Sequence, residues 1–174
     1  MPSRPGDWLQ GSRFNPRPAR GPGRRRASPS HRSRSTALKP SWISTEPYWF
    51  DGGADLSPVD YAVGWGPMSD RAILGKLSVS QGGRWFRYRS RGEWPLPMEE
   101  ISPHCANMHM IPADSRIERQ LKSVHPADIV NLSGYLVEVH GPRGMKWRSS
   151  LTRTDTGAGS CELMWVEEVS KRRN

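Results

Sequence analysis

The sequence predicts an α+β domain that is mainly β. It is either a small, partly closed barrel of the OB type or a bent antiparallel sheet with one main helix over about residues 114–124. Three observations lead to this prediction. Alternating runs flank a glycine-rich connection at residues 81–83, residues 114–124 carry apolar side chains at helical spacing, and residues 128–169 contain three further strand-like runs.

Two short helices are predicted ahead of the first hairpin. Ser57 is a suitable N-cap, and the proline and the acid that follow it favour a helical turn through Ala62. Asp70 can cap a second short helix over residues 71–74, which Gly75 would end.

A β-hairpin is predicted next. Two alternating runs, residues 77–80 and 85–89, are separated by residues 81–83, two of which are glycines. Because side chains alternate along a strand, the second run would turn Phe86 and Tyr88 to one face. The opposite face would carry Trp85, Arg87 and Arg89. Prolines between residues 95 and 103 then predict a loop.

The longest helix is predicted from Asp114 to Val124. Ile117, Leu121 and Val124 recur at intervals of three and four residues, so they line one helix face. A His-Pro pair at His125 would end the helix.

Three strands, joined as a meander, are predicted after this helix. The first covers residues 128–139 and contains Gly134, which indicates a bulge or a bend. The second covers residues 145–152. A loop over residues 154–160 leads to the last strand, residues 161–169.

The positive charge of the chain lies at its beginning. The chain has 174 residues, with 26 Lys and Arg against 17 Asp and Glu. Residues 1–40 hold ten of the basic residues and one acid, whereas residues 41–174 hold sixteen of each. The first segment has seven prolines and few large apolar side chains, so burial cannot offset its ordering entropy. The composition predicts a disordered Arg/Pro/Ser-rich tail over residues 1–40 and a single β-rich domain over residues 41–174.

Two interpretations of the tail stay open. Clustered arginines can bind phosphates without a fold, as a nucleic-acid arm does. Alternatively, the segment is a misassigned start, because nine arginines to one lysine is what GC-rich DNA encodes. The prolines exclude an amphipathic transit peptide, and no apolar stretch supports a twin-arginine signal. The sequence as it stands predicts a cytoplasmic protein, and a different N-terminus would predict the envelope or the periplasm.

Composition excludes several classes of protein. No apolar run approaches the roughly 18 residues of a membrane helix, so no integral membrane span is predicted. Two cysteines cannot make a disulfide framework or a four-cysteine zinc site. The length fits one domain with a tail, which excludes a multidomain enzyme.

Two motifs suggest catalysis, but the residues around them do not fit a catalytic site. The run Asp155-Thr156-Gly157-Ala158 matches the aspartic-protease signature, in which paired carboxylates activate water. Polar residues precede it instead of an apolar strand, and too few residues follow for the rest of a lobe. A loop with a glycine at positive φ is favoured.

The hydroxyls of residues 147–153 lack a neighbouring base or a nucleophile elbow. The sequence predicts no catalytic centre and no cofactor.

Potential ligands for a soft metal cluster in one run. Thiolate and imidazole groups suit copper or zinc, and the run offers His104, Cys105 and His109, with Cys161 further along. The simpler interpretation is that alternate residues of this run pack inward while the others face solvent. A metal-binding protein or an enzyme centred on these residues is the alternative function.

Aromatic and basic residues alternate over residues 84–91. Single-strand nucleic-acid binders combine stacking rings with cations in this way. Binding through the tail and residues 84–91 is therefore a second alternative. The domain itself has balanced charge, which disfavours nucleic acid as its partner.

Several motifs resemble those of a family of uncharacterised bacterial proteins. The resemblance covers about residues 51–168 and implies no activity. It implies an apolar N-terminal segment, and hence export or attachment to the envelope. This chain departs there, because the arginine-rich stretch stands in its place. The motifs are, in order, residues 55–60, 64–70, 106–109, 134–137, 149–153 and 155–159.

The combined prediction is a non-catalytic binding or structural module. Its expected partner is a small ligand or an envelope protein. Binding residues concentrate on loops, so three loops are expected to converge as the binding surface. The residues predicted to form that surface are Trp65, Asn107, His109, Trp147, Arg153 and Asp155.

Overall fold

The computed structural model has the predicted α+β fold that is mainly β, with 47% strand. The sheets do not close into a barrel, so the barrel alternative is wrong. The large sheet stays open because the strands at its two edges do not pair with each other. The structure describes residues 32–38, 42–50, 52–126, 128–140, 146–152, 155, 157 and 159–172.

Nine strands and three α-helices lie in these ranges. The strands are β1 Arg32–Leu38, β2 Trp42–Pro47, β3 Val59–Gly64, β4 Leu77–Gly82, β5 Trp85–Ser90, β6 Cys105–Pro112, β7 Ile129–His140, β8 Lys146–Arg148 and β9 Glu162–Arg172. The helices are α1 Arg71–Leu74, α2 Met98–Ile101 and α3 Ser115–Lys122, with 3₁₀ turns at Gly66–Ser69 and Ser102–His104.

The large sheet has the strand order β1-β7-β9-β6-β3-β2, with β8 paired to β7 beside this path. Strands β6 and β9 run parallel, whereas the other pairs of this sheet are antiparallel. Strands β4 and β5 form a separate two-stranded sheet, which is the predicted hairpin.

The predicted meander of the last three strands is wrong. Strands β8 and β9 pair with successive stretches of β7, residues 138–140 and 129–136, and not with each other. The expected strand over residues 145–152 is correspondingly short, because the chain leaves the sheet after Arg148. A loop therefore stands between β8 and β9, and this loop becomes part of the site.

Helix α3 covers one face of the large sheet. Asp114 caps it by accepting a 2.8 Å hydrogen bond from the Ile117 N–H, and Ile117 and Leu121 are fully buried. The main apolar core lies beneath this helix. Successive residues of β6 join different clusters, Met110 the core under α3 and Ile111 a second cluster, so the second cluster lies on the opposite face.

Several other local predictions are confirmed. The Asp70 carboxylate accepts a 2.7 Å hydrogen bond from the Ala72 N–H and begins α1, which ends before Gly75. The register between β7 and β9 shifts between Ser133 and Gly134, as the glycine in this strand predicts. These features depend on local backbone requirements, which a sequence shows directly.

The predicted helix from Ser57 to Ala62 is wrong, because this segment enters strand β3. All six residues of β3 are buried, and the strand pairs with β2 on one side and β6 on the other. Pairing on both sides and complete burial outweigh a local capping signal.

The prediction that alternate residues of this run face solvent is also wrong for strand β6. Seven of its eight residues are buried, because it lies between β3 and β9 with covering structure on both faces. Alternate side chains therefore enter two different buried environments.

The predicted tail needs a correction at its end. Residues 32–38 form strand β1, which pairs antiparallel with β7. Hydrogen bonding to a sheet edge does not require apolar side chains, so composition alone misses it. The disorder predicted for residues 1–31 lies outside the described residues.

Candidate functional site

The candidate site is a cleft of about 190 Å³ between the β4–β5 hairpin and the large sheet. Three parts of the fold line it: strand β5, the start of β6 with the turn before it, and the loop that leads into β9. These parts are distant in sequence, so only the folded chain has the cleft. Its lining includes Phe86, Cys105, Asn107, Asp155, Cys161 and Glu162.

The described residues of the loop between β8 and β9 form one wall of the cleft. Its two ends are tied together, because the Ser150 N–H donates a 2.9 Å hydrogen bond to the Cys161 carbonyl. The buried Ser149 hydroxyl accepts a 3.1 Å hydrogen bond from the backbone of β9. Within the loop, the Ser150 hydroxyl donates to Asp155 Oδ2 at 2.6 Å. This bond holds a carboxylate of the loop beside the cleft.

Asn107 connects the hairpin to the sheet. Its Nδ2 donates to the Arg84 carbonyl at 3.0 Å and lies 3.9 Å from Cys161 Sγ. Its Oδ1 accepts a 3.2 Å hydrogen bond from Gln81 Nε2. Asn107 is buried, so water does not replace these partners. One amide therefore joins the hairpin, the sheet and the start of β9.

A buried polar cluster of Ser57, Asp60, Arg84 and His109 lies on the same sheet face as the cleft. Asp60 is fully buried, and its Oδ1 accepts a 3.0 Å charge-assisted hydrogen bond from Arg84 Nη1. The same nitrogen donates to the Ser57 carbonyl at 2.8 Å. His109 Nδ1 lies 2.9 Å from Asp60 Oδ2, an ion-pair distance without the alignment of a hydrogen bond. The carboxylate is thus contacted by two basic side chains.

Arg84 reaches Asp60 from a strained hairpin turn. Gly82 and Trp85 are paired across a two-residue turn in which Gly83 has φ 60° and Arg84 has φ 69°. Such turns require positive φ, which a residue with a side chain adopts at a cost. The Arg84 N–H donates to the Tyr48 hydroxyl at 3.0 Å, and its guanidinium lies 3.7 Å from the Tyr48 ring centroid. These contacts hold the arginine in its strained backbone conformation.

Strand β5 presents the two faces that the sequence predicts. Phe86 and Tyr88 are half-buried, while Trp85, Arg87 and Arg89 are exposed. Phe86, Tyr88 and Trp85 all contribute to the cleft lining. The Phe86 and Tyr88 rings are 5.7 Å apart with a 34° tilt. The Phe86 and Tyr88 rings therefore lie on the face of β5 opposite Arg87 and Arg89, whereas Trp85 lies on the exposed face with these arginines.

Both cysteines line the cleft as protonated thiols. Burial raises the pKa of Cys105 to about 12, and the Glu162 carboxylate adds to the rise. Burial raises the pKa of Cys161 to about 11, with further contributions from nearby carboxylates. The Cys105 thiol also donates to the Ile101 carbonyl at 3.3 Å, which requires its proton. A thiol attacks as its thiolate, so neither cysteine is a competent nucleophile near neutral pH.

We expect the thiols of the native protein to react slowly with iodoacetamide. At pH 8 the thiolate fraction of Cys161 is about 100-fold below that of an ordinary thiol, because its pKa is about two units higher. The rate should rise about tenfold per pH unit up to about pH 10. Intact-protein mass spectrometry would measure it, with the denatured chain as the control. A native rate within tenfold of the denatured rate at pH 8 would contradict the buried, protonated state.

The same pKa shifts predict the direction of alkaline destabilisation. The thiols keep their protons longer in the folded protein than in the unfolded chain. The unfolded chain therefore binds fewer protons above about pH 9, and stability falls as pH rises toward 11.

The four residues of the predicted metal site do not lie together in the structure. Cys105 and Cys161 line the cleft, but His109 lies against Asp60, and His104 Nδ1 lies 2.6 Å from the Glu100 carbonyl. In the described part of the chain, no three His, Cys, Asp or Glu side chains form a group that could hold a metal ion.

The predicted binding-surface residues occupy three places, and one residue lies outside the described ranges. Asn107 and Asp155 line the cleft. The His109 and Trp147 rings contact each other at a 54° tilt, with centroids 4.7 Å apart, and His109 belongs to the buried polar cluster. Trp65 packs against the main apolar core instead. Arg153, like Thr156 and Ala158 of the protease-like motif, lies outside the described residues.

Sequence reasoning missed three of the polar residues that build this region. Asp60 was expected in the first turn of a helix and Arg84 in a basic patch, and Glu162 was only placed within the last predicted strand. Asp60 and Glu162 are almost completely buried. The sequence did contain a signal, namely a single acid inside an apolar run, as in residues 59–63. Burial of a carboxylate requires a partner, so such an acid indicates a buried polar contact.

No helix in the described ranges is long and apolar enough to cross a membrane. Comparisons with known protein families, with curated proteins and with solved structures give no match to this chain.

Proposed function

We propose that the protein is a non-catalytic binding module whose ligand occupies the cleft. The observation that carries this proposal is the construction of the cleft from three separate parts of the fold, joined by the hydrogen bonds of Asn107. A binding site benefits from such preorganisation, because its walls lose little entropy when a ligand binds.

The chemistry of the lining supports binding over catalysis. Cys105 and Cys161 hold their protons near neutral pH, and His109 lies against Asp60 and Trp147. Aromatic rings, hydroxyls, an amide and the acidic residues Asp155 and Glu162 remain, and such groups recognise ligands by stacking and hydrogen bonding.

The volume of the cleft indicates the size of the ligand. About 190 Å³ is below the roughly 300–1,000 Å³ of pockets that hold drug-sized molecules. The expected ligand is therefore a small metabolite-sized molecule, or one group of a larger molecule whose remainder stays in solvent.

We expect small polar and aromatic fragments to bind in the cleft. Trp85→Ala should lower their affinity about tenfold, because contact with the ring is lost. A fragment library can be screened by NMR on ¹⁵N-labelled protein, following the Asn107 side-chain amide, which is present in the wild type and in both variants. The matched control is Trp49→Ala, because Trp49 is 65% exposed and is not part of the cleft lining. Shifts lost in Trp85→Ala and kept in Trp49→Ala support the proposal. No shift at millimolar fragment, or equal shifts in both variants, contradicts it.

A further inference from the structure

Strand β5 contributes residues from both of its faces to the cleft. Phe86 and Tyr88 lie on the half-buried face of the strand, whereas Trp85 lies on the exposed face, and all three line the cleft. Side chains alternate between the two faces of a strand, so a cleft that is lined from both faces runs along an edge of that strand. The cleft therefore follows one edge of β5.

One edge of β5 is paired, and the other is the edge that the cleft follows. Strand β4 pairs with β5 along its whole length, from Trp85 to Ser90, and so occupies one edge. In the described part of the chain, no further strand joins this two-stranded sheet. The edge of a strand that has no neighbour presents backbone N–H and C=O groups to which another extended chain can bind.

The hydrogen bonds of the hairpin identify the residues whose backbone faces the free edge. In an antiparallel pair, residues whose N–H and C=O groups bond the partner strand alternate with residues whose groups point away from it. The Arg91 N–H donates to the Lys76 carbonyl at 2.8 Å, one pair beyond the end of β5. Residues 89, 87 and 85 therefore also bond β4, and the backbone groups of Phe86 and Tyr88 point to the free edge. These two residues are part of the cleft lining.

The exposed face of β5 is basic, because it carries Arg87 and Arg89. A strand added beside β5 would place alternate side chains next to these two arginines. Opposite charges on neighbouring strands attract, so acidic side chains are favoured at those positions. The remaining side chains of the added strand would lie next to Phe86 and Tyr88, where apolar residues are favoured.

We propose that the ligand of this cleft is an extended peptide segment of alternating apolar and acidic residues, which adds a strand to the free edge of β5. The backbone groups of Phe86 and Tyr88 bond its main chain, and its acidic side chains lie beside Arg87 and Arg89. Main-chain hydrogen bonds supply affinity in such strand addition, and alternate side chains supply specificity. The cleft of about 190 Å³ holds only part of the segment. This inference rests on the proposed function and names its class of ligand.

Hydrogen exchange at single amides tests the addition of a strand. The probe is an acetylated and amidated peptide of three Val-Glu repeats, and NMR of the ¹⁵N-labelled protein measures exchange with and without it. At saturating peptide, exchange of the Phe86 and Tyr88 N–H groups should slow about tenfold, because each gains a hydrogen bond. The Arg87 N–H already bonds β4, so its rate should change less than about twofold. A bound peptide that leaves the Phe86 and Tyr88 rates unchanged overturns the inference.

Two methylated forms of the peptide test whether its main chain makes the contact. One form is N-methylated at the valines and the other at the glutamates. Successive N–H groups of a strand point to opposite edges, so only one form loses the donors that face β5. We expect that form to bind about tenfold more weakly than the other. Equal affinities would show that the main chain of the peptide does not pair with β5.

Protein variants test the position of the acidic side chains. The double variant Arg87→Ala, Arg89→Ala should bind the Val-Glu peptide about fivefold more weakly, because two cross-strand charge pairs are lost. The matched control is Arg119→Ala, because Arg119 is an exposed arginine of α3 and is not part of the cleft lining. Weaker binding in the double variant alone supports the inference. Equal affinities in the double variant and the control overturn the acidic assignment of the ligand.

Other outcomes separate the inference from the proposed function. If small fragments bind in the cleft and the Val-Glu peptide does not bind, the inference is overturned while the cleft remains a binding site. If neither the peptide nor any fragment shifts the Asn107 signal, both the inference and the proposed function fail.

Discussion

The Gly134→Ala variant is expected to lose about 3 kcal/mol or more of folding stability. A Cβ at this position would lie 1.9 Å from the Trp165 carbonyl oxygen and 3.1 Å from Val166 Cα. Both neighbours are backbone atoms of β9, so no side-chain rotation can relieve the clash. Because β7 and β9 form the longest pairing in the large sheet, the added methyl group must separate two central strands. Chemical denaturation followed by circular dichroism would measure the loss.

Gly82→Ala is the matched control for this experiment. Gly82 also lies in a strand, but a Cβ there meets nothing within 4 Å and its φ is not positive. Alanine should change stability by less than about 1 kcal/mol at such a site. Equal stability losses in the two variants would show that the close approach at Gly134 is not what costs stability.

The Arg84→Gly variant is expected to lose about 2 kcal/mol or more of stability, although glycine suits the turn better. Glycine removes the cost of positive φ, about 1 kcal/mol. Loss of the guanidinium leaves the buried Asp60 carboxylate with fewer partners, which costs about 3–5 kcal/mol for buried pairs. The second effect exceeds the first, so the net change is destabilising. Urea denaturation would give its sign and size.

Two further variants identify the cause of this loss. Asp60→Asn in the Arg84→Gly background removes the carboxylate charge that has lost its arginine partner. Part of the lost folding stability should therefore return. Arg87→Ala replaces an exposed arginine on the neighbouring strand and should change stability by less than about 0.5 kcal/mol. If Arg84→Gly is as stable as the wild type, the ion pair contributes only about the 1 kcal/mol that glycine gains at positive φ, and the expected loss is contradicted.

Anchoring of the hairpin links stability to the proposed binding function. The Arg84 side chain reaches the buried polar cluster, while its carbonyl accepts from Asn107 in the cleft. The next residue along the chain, Trp85, begins β5, the strand that lines the cleft. A change that frees the hairpin turn should therefore displace one wall of the cleft as well as destabilise the fold.

Local chemistry made parts of the fold predictable. Helix α3 has a capping Asp114 and apolar residues at helical spacing, and the hairpin has glycines at its turn. Gly134 marks a bulge because a strand interior otherwise favours residues with side chains. The capping pattern at Ser57 predicted a helix and was wrong, because the segment after it is paired on both sides and fully buried.

The site was less predictable than the fold. Asn107, Cys161 and Asp155 were recognised as chemically capable residues, but their partners were not. The pairing of Arg84 with Asp60 spans 24 positions, and that of Asn107 with Cys161 spans 54. No local pattern encodes such contacts, since they depend on which strands become neighbours.

The mainly β class, the main helix, the hairpin and the uneven distribution of charge could be derived before the fold was known. These follow from the side-chain period, from caps and turns, and from composition, all of which act over a few residues. No sequence pattern predicted that β6 runs parallel beside β9 or that the hairpin covers one face of an open sheet. These features became known from the folded chain. They bring Trp85, Asn107 and Glu162 around one cleft. The physical reason is that burial and strand pairing act between residues distant in the chain, so the cleft arises from packing and not from a motif.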